Sequence, residues 1–342
     1  MPNQLISIFF YVLIVLCLIT AFAVGSNDET SSALVGSGII RFKVVLVLAG
    51  ISLAVGMIFF SQRVGKTVGA DLLGPGMKYT TFMLFSVLIG AIIWLIIGSF
   101  RGIPLSTTHC AVGGIFGVII VYSFTVGEVD PSTALNFEVL LNIVLGWILA
   151  PVFGLIVTII IYNVITRIFL KRQKGLSQIE RSEKIFAIML IMAVVFSELW
   201  VGGNNSAVIG MLYGLYCNGS LTYSEFFFLT IVCASFVFLG LFFVGKYVIR
   251  NLASQMTDAR PCDGFVVLIS QGLIMMTATL FALPISHSHV LVFCIIGLSL
   301  AQKKQIDKKV FFKMTTYWLL TFPISALLAG FIYFGFISFG YL

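Results

Sequence analysis

The chain has 342 residues, 60% of them hydrophobic and only 10% charged, with a mean hydropathy of +1.12. A soluble domain carries roughly 25% charged residues, so water is excluded as the main solvent and no segment remains for a sizeable soluble domain. The formal charge of +7 would suit nucleic acid, but most of it lies in short loops between apolar runs, the pattern of membrane topology.

Apolar stretches recur at 5–24, 44–60, 80–100, 110–126, 137–166, 185–201, 226–249, 264–283, 290–301 and 314–339, and a bilayer-spanning helix needs about 17 to 25 such residues. Ten crossings are predicted. The first contains Ala21-Phe22-Ala23, which looks like a leader cleavage site. No Lys or Arg precedes Arg41, however, and leaders open with a basic region, so the stretch reads as a span. At its end stand Asn27, Asp28 and Glu29, then Thr30, Ser31 and Ser32. A charge within lipid costs about 2.5–3.5 kcal/mol on insertion scales, so such residues face a protein interior or a watery cavity. The competing reading is an ordinary polar loop at the membrane surface.

Pro104-Leu105-Ser106-Thr107-Thr108-His109 follows. Proline lacks an N–H and disfavours helix just before it, so a new helix is expected to begin here, with hydroxyls in its first turn. A helix N-terminus offers free N–H groups and partial positive charge, which suits an oxyanion; plain capping by Ser or Thr is the alternative. Gly113, Gly114 and Gly117 read as a close-packing surface for another helix. Trp147 precedes Pro151 by four residues. The polar stretch 167–184 then divides the chain, as a cytoplasmic linker, into a first transmembrane repeat (1–166) and a second (185–342).

In the second half Glu198 is flanked by Phe196, Leu199 and Trp200, a poor setting for a surface carboxylate. Gly202-Gly203-Asn204-Asn205 echoes Gly25-Ser26-Asn27-Asp28, and Pro284-Ile285-Ser286-His287-Ser288-His289 echoes residues 104–109. Trp318, five residues before Pro323, echoes Trp147. The separation is 78 residues from Asp28 to Ser106 and 81 from Asn205 to Ser286. Five crossings per half is an odd number, so the second half enters from the opposite side. The expected fold is an all-α polytopic membrane protein of two inverted-topology repeats with two broken or re-entrant hairpins, a secondary-transporter architecture whose site lies near the midplane.

His109 and His289 occupy equivalent places and read as satisfied structural histidines more readily than as ligands. His287 interrupts a hydroxyl run and is the candidate to carry a coupling proton. The cysteines are scattered with no CxxC pair and read as apolar filler, implying neither disulfide nor metal. With the N-terminus outside, 17 of the 20 basic residues fall on the cytoplasmic side and only Arg63, Lys66 and Lys78 outside, which orients the chain with both termini out. No GxGxxG, Walker, HExxH or nucleophile-elbow sequence is present, and no nucleophile–base pair points to an enzyme.

At these residues the chain resembles the inorganic phosphate transporter (PiT) family, whose halves each carry a Gly-Ala-Asn-Asp-type motif and a Pro-[Ile/Val]-Ser-Thr-Thr-His motif. The likeness runs from about residue 20 to the end, and Asp263-Gly264-Phe265 is similar to the family's approach to its second hairpin. The resemblance implies a cell-membrane symporter that takes up inorganic phosphate by alternating access, with Na+ or H+ as coupling ion and no other cofactor. It implies substrate contacts at Ser106, Thr107, Thr108, Asn204, Asn205, Ser286, His287 and Ser288, and coupling-ion contacts at Asn27, Asp28 and Glu29, with Asp28 as the candidate Na+ ligand. Departures are Asn205 where the family has Asp, Ser31 and Val208 near where it has a second Asn, and His287 in place of Thr. They leave a sulfate permease of the same superfamily as an alternative. Phosphate carries a proton that a carboxylate at 28 or 29 accepts, whereas sulfate carries none, which favours phosphate. An anion channel is the alternative from another class. The partners expected are phosphate or sulfate, membrane lipid and a second copy of the chain.

Overall fold

The computed structural model describes residues 2–32, 41–100, 105–125, 129–169, 171, 175–254, 260–306 and 308–340. Pro104, to which the sequence reading gave a role, lies outside these residues. The described chain is helical almost throughout: α1 (Pro2–Ser26), α2 (Phe42–Phe60), α3 (Gln62–Lys66), α4 (Thr81–Phe100), α5 (Thr107–Thr125), α6 (Pro131–Ala134) and α7 (Phe137–Ile168), then α8 (Leu176–Gly203), α9 (Ser206–Cys217), α10 (Tyr223–Gly240), α11 (Lys246–Ser254), α12 (Pro261–Leu280), α13 (His287–Ala301) and α14 (Lys308–Ser338).

Eight of the described segments are long and apolar enough to cross a membrane, and the apolar stretches Thr81–Ile97 and His287–Ala301 are shorter. Together they account for all ten apolar stretches of the sequence. Their outward faces carry Leu, Ile and Phe, as a lipid solvent requires, so the chain is a multi-pass membrane protein.

The polar segment 167–184, expected as a linker, is helical from Leu176 onward, so α8 starts nine residues before its apolar run. Residues such as Gln, Glu, Arg and Lys are good helix formers, and Lys184 donates to Glu180 one turn back at 2.8 Å. The stretch after α2 is likewise helical, with a π-turn over Thr67–Asp71. It accounts for two of the basic residues that topology placed outside: Arg63 donates to the Leu280 carbonyl, and Lys66 pairs with Asp71 at 3.3 Å.

Inside lipid, helices associate through close packing of small residues and hydrogen bonds, with little hydrophobic drive. The chain uses glycine for this in matched places. Gly25 of α1 meets the Val237 carbonyl of α10, and Gly240 of α10 meets Phe22 of α1; Gly202 of α8 meets the Leu53 carbonyl of α2, and Gly56 of α2 meets Leu199 of α8. Gly113 and Gly117 of α5 lie against Phe322 and Ala326 of α14, which is the packing role the sequence suggested. These contacts bring the end of α1, the end of α8 and the starts of α5 and α13 into one buried region.

Candidate functional site

Residues 27–32 do not form a surface loop. Asp28, Glu29, Thr30, Ser31 and Ser32 are all at most 2% exposed. The backbone turns as α1 ends, the Asp28 Oδ1 accepts the Thr30 N–H at 2.9 Å, and the Asn27 side chain reaches the first tip, donating to the Leu105 carbonyl at 3.1 Å. Asn204 does the same for the second tip more completely. Its Nδ2 donates to Thr279 Oγ1 at 3.1 Å and to the Leu283 carbonyl at 3.0 Å, and its Oδ1 accepts the Ile285 N–H at 2.9 Å. The two asparagines of the repeated motif are thus clamps, each holding the backbone just before its hydroxyl-bearing helix start.

The two tips meet. Thr108 Oγ1 donates to the Ile285 carbonyl at 3.2 Å, and Ser206 Oγ donates to Thr108 at 3.3 Å. Behind them the rings of His109 and His289 lie 4.8 Å apart, each against its own tryptophan, Trp147 at 3.8 Å and Trp318 at 4.0 Å. Trp147 Nε1 also donates to the Pro284 carbonyl at 3.0 Å, so the repeated tryptophans buttress the repeated tips. The tips differ in how their hydroxyls are used. Ser106 caps α5 by accepting the His109 N–H at 3.2 Å, so capping consumes part of its capacity. Ser286 and Ser288 at the second tip are buried; the Ser286 hydroxyl oxygen has no hydrogen-bond partner among the described residues, and the Ser288 hydroxyl lies against Glu29.

Beside the tips lies an acidic cluster. One ligand atom each of Asp28, Glu29 and His287 lie within 4.8 Å of one another, with His287 Nε2 3.9 Å from Glu29 Oε2. Glu198, at 0% exposure, is close enough to Asp28 and Glu29 for direct electrostatic interaction. Sequence patterning missed Gln271, a polar residue inside an apolar helix, where such residues are generally functional or paired. Its Nε2 donates to Thr30 Oγ1 and to the His287 carbonyl, both at 3.4 Å, and its Oε1 accepts from Ser197 at 3.2 Å. It joins the 27–32 segment of one half to the tip of the other. A small cavity of about 20 Å3 sits among Asp28, Thr107, Thr108, Asn204, Asn205 and His287, and among the described residues no Lys or Arg lines it.

A multi-pass helical bundle that buries two converging helix starts and a carboxylate cluster is built as a membrane transporter. Residues 29–329 match the model of the Phosphate transporter family, and the chain belongs to that family. Similar proteins described as probable low-affinity inorganic phosphate transporters occur in Rhizobium meliloti (strain 1021), 24% identical over 94% of this chain and 95% of the relative, and in Bacillus subtilis (strain 168), 25% identical over 94% and 96%. A solved structure titled "The sodium-dependent phosphate transporter" shares the fold, with a TM-score of 0.84 at 20% identity over 96% of this chain and 99% of that one. The chain is accordingly a phosphate transporter and not an enzyme.

Proposed function

We propose that the protein carries inorganic phosphate into the cell together with a coupling cation, by alternating access of two inverted-topology halves whose termini lie outside. One observation carries the reading: three buried carboxylates, Asp28, Glu29 and Glu198, share the region of the helix tips, while among the described residues no Lys or Arg lines the small cavity between them. Burying even one ion costs several kcal/mol unless it is paired. A phosphate beside these acids therefore needs positive charge delivered with it, and that requirement is what couples the two fluxes.

In this reading phosphate is held by Ser286 and Ser288, by Thr107, and by the free first-turn N–H groups of α5 and α13, with Asn205 at its edge and Ser106, Thr108 and Asn204 fixing the tips. A protonated phosphate oxygen donates to a carboxylate, a contact sulfate cannot make. The cation is held at Asp28 and Glu29, where oxygen ligands suit Na+, and the sodium-dependent protein of the same fold favours that ion. His287 beside Glu29 offers a proton the same place. A 20 Å3 cavity has room for about one water, so phosphate enters only when the halves part. The matched glycine contacts and matched asparagine clamps support two equivalent halves that move against each other.

The test is uptake of labelled phosphate into proteoliposomes, with Na+ and proton gradients imposed separately and unlabelled sulfate as competitor. Saturable uptake that one of the two gradients drives, and that sulfate leaves intact, is expected. Uptake indifferent to both gradients would indicate a channel and end the coupling proposal, and sulfate competing as well as phosphate would overturn the substrate.

A further inference from the structure

A second cavity, of about 530 Å3, lies away from the polar cluster, between α7 and α14. Val144, Ile148 and Val152 form one wall and Thr315, Leu319 and Phe322 the other, and the stacked pairs His109–Trp147 and His289–Trp318 close its back. It exists because α7 packs on α13 and α14 packs on α5, which leaves the space between the two long helices open. Ile148 is 59% exposed and Leu319 73%. Both belong to the middle of long spans, so the mouth opens sideways into hydrocarbon.

The ends of these helices supply charge. α7 runs parallel to α13, with Gly146 against Ile285, Gly154 against Val290 and Cys294, and Leu155 against Gly297. The C-terminal ends of α7 and α13 therefore point to the same side, α7 running on past the end of α13 by about 13 Å of helix at 1.5 Å per residue, and residues 302–307 separate α13 from the start of α14. Lys303, Lys304 and Lys308 stand between the end of α13 and the start of α14, and Arg167 and Lys171 at the end of α7 on the same side; all five are exposed. From Lys308 to Thr315 is seven residues, about 10 Å of helix at 1.5 Å per residue, so the cavity begins within an acyl chain's reach of the basic cluster. Clusters of Lys and Arg at a membrane surface attract anionic headgroups.

We propose that this cavity is a lipid site, holding one acyl chain of an anionic phospholipid whose headgroup the basic cluster grips. An apolar volume of this size, open to hydrocarbon on one side, is close to that of a single acyl chain. Its two walls belong to the two halves of the chain, and its back is the pair of ring stacks that buttress both tips. A bound chain thus braces the tips against each other from the side opposite the phosphate site.

The test uses the indoles at the back wall. A variant with Trp94→Phe and Trp200→Phe keeps only Trp147 and Trp318 of the four tryptophans, and Trp318 is only 6% exposed. The full chain is placed in phosphatidylcholine vesicles with rising fractions of acyl-dibrominated phosphatidylglycerol or, separately, acyl-dibrominated phosphatidylcholine. Fluorescence quenching should saturate at a several-fold lower fraction of the anionic lipid. Val144→Phe with Val152→Phe, which fills the cavity, should abolish the saturating component. Lys303→Gln, Lys304→Gln and Lys308→Gln, all surface changes, should erase the preference for the anionic lipid. Equal, non-saturating quenching by both lipids would mean ordinary lipid contact and overturn the proposal. So would saturation that survives filling, or an absence of quenching, as a second protein copy seated in the cavity would produce.

Discussion

At the scale of single residues, the repeated asparagines and the repeated serines do different work although they stand in matching motifs. Asn204 has all three of its hydrogen bonds inside the protein. Asn204→Ala leaves the buried Ile285 N–H without an acceptor, a loss of roughly 1–3 kcal/mol, and thermal unfolding should show that loss whether or not phosphate is present. Ser286 has no hydrogen-bond partner among the described residues, and Ser288 lies against Glu29. Their joint replacement by Ala should leave the unfolding temperature nearly unchanged and weaken phosphate binding by about tenfold or more, because hydrogen bonds to a charged ligand are worth about 1.5–3 kcal/mol each and 1.4 kcal/mol is a factor of ten. Unchanged phosphate affinity in that variant would reduce the second tip to a structural helix start. Asp28→Asn keeps the shape and removes one charge of the cluster. Uptake should fall to background while the amount of protein in the membrane stays the same, and full uptake would remove Asp28 from the coupling site.

At the scale of elements, the bundle depends on glycine where helices cross. A side chain at position 202 would run into the Leu53 carbonyl of α2, which is backbone and cannot turn aside. Overpacking usually costs 1–3 kcal/mol even where neighbours can shift. Gly202→Val should therefore abolish the folded protein, seen as loss of a monodisperse peak on size-exclusion chromatography in detergent. The exposed helix ends tolerate more. The capping box of α10, where Thr222 and Glu225 exchange hydrogen bonds, and the exposed Glu180–Lys184 pair both sit in water, which screens them and makes their loss minor beside an overpacked helix crossing. These elements were legible to different degrees. The ten apolar runs gave the spans, because a bilayer imposes length and composition on a helix directly. The helical start of α8 and the helical stretch 62–71 were not legible, since polar helix at a membrane surface has the composition of a loop.

At the scale of the whole molecule, the tips form part of the contact between halves, so locking that contact should arrest the cycle. Thr108→Cys with Ile285→Cys, joined by a short reducible thiol cross-linker because the 3.2 Å contact runs from the Thr108 side chain to the Ile285 backbone, should drop uptake to background and recover on reduction. Undiminished uptake by the cross-linked protein would mean that the tips do not separate. The sequence by itself determined that the chain lives in a membrane, that its two halves echo each other, and that hydroxyl-bearing helix starts follow paired Asn-Asp and Asn-Asn motifs. Those features are local: spacing, residue type and the demands of lipid fix them along the chain. Only the tertiary structure decided that Asn27 and Asn204 clamp backbone, that Gln271 ties residue 30 to residue 287, and that α7 and α14 stand apart around a cavity. Each of these depends on which helix surfaces nest together, and pairings between positions 78 to 241 residues apart come from three-dimensional packing that no single stretch of sequence encodes.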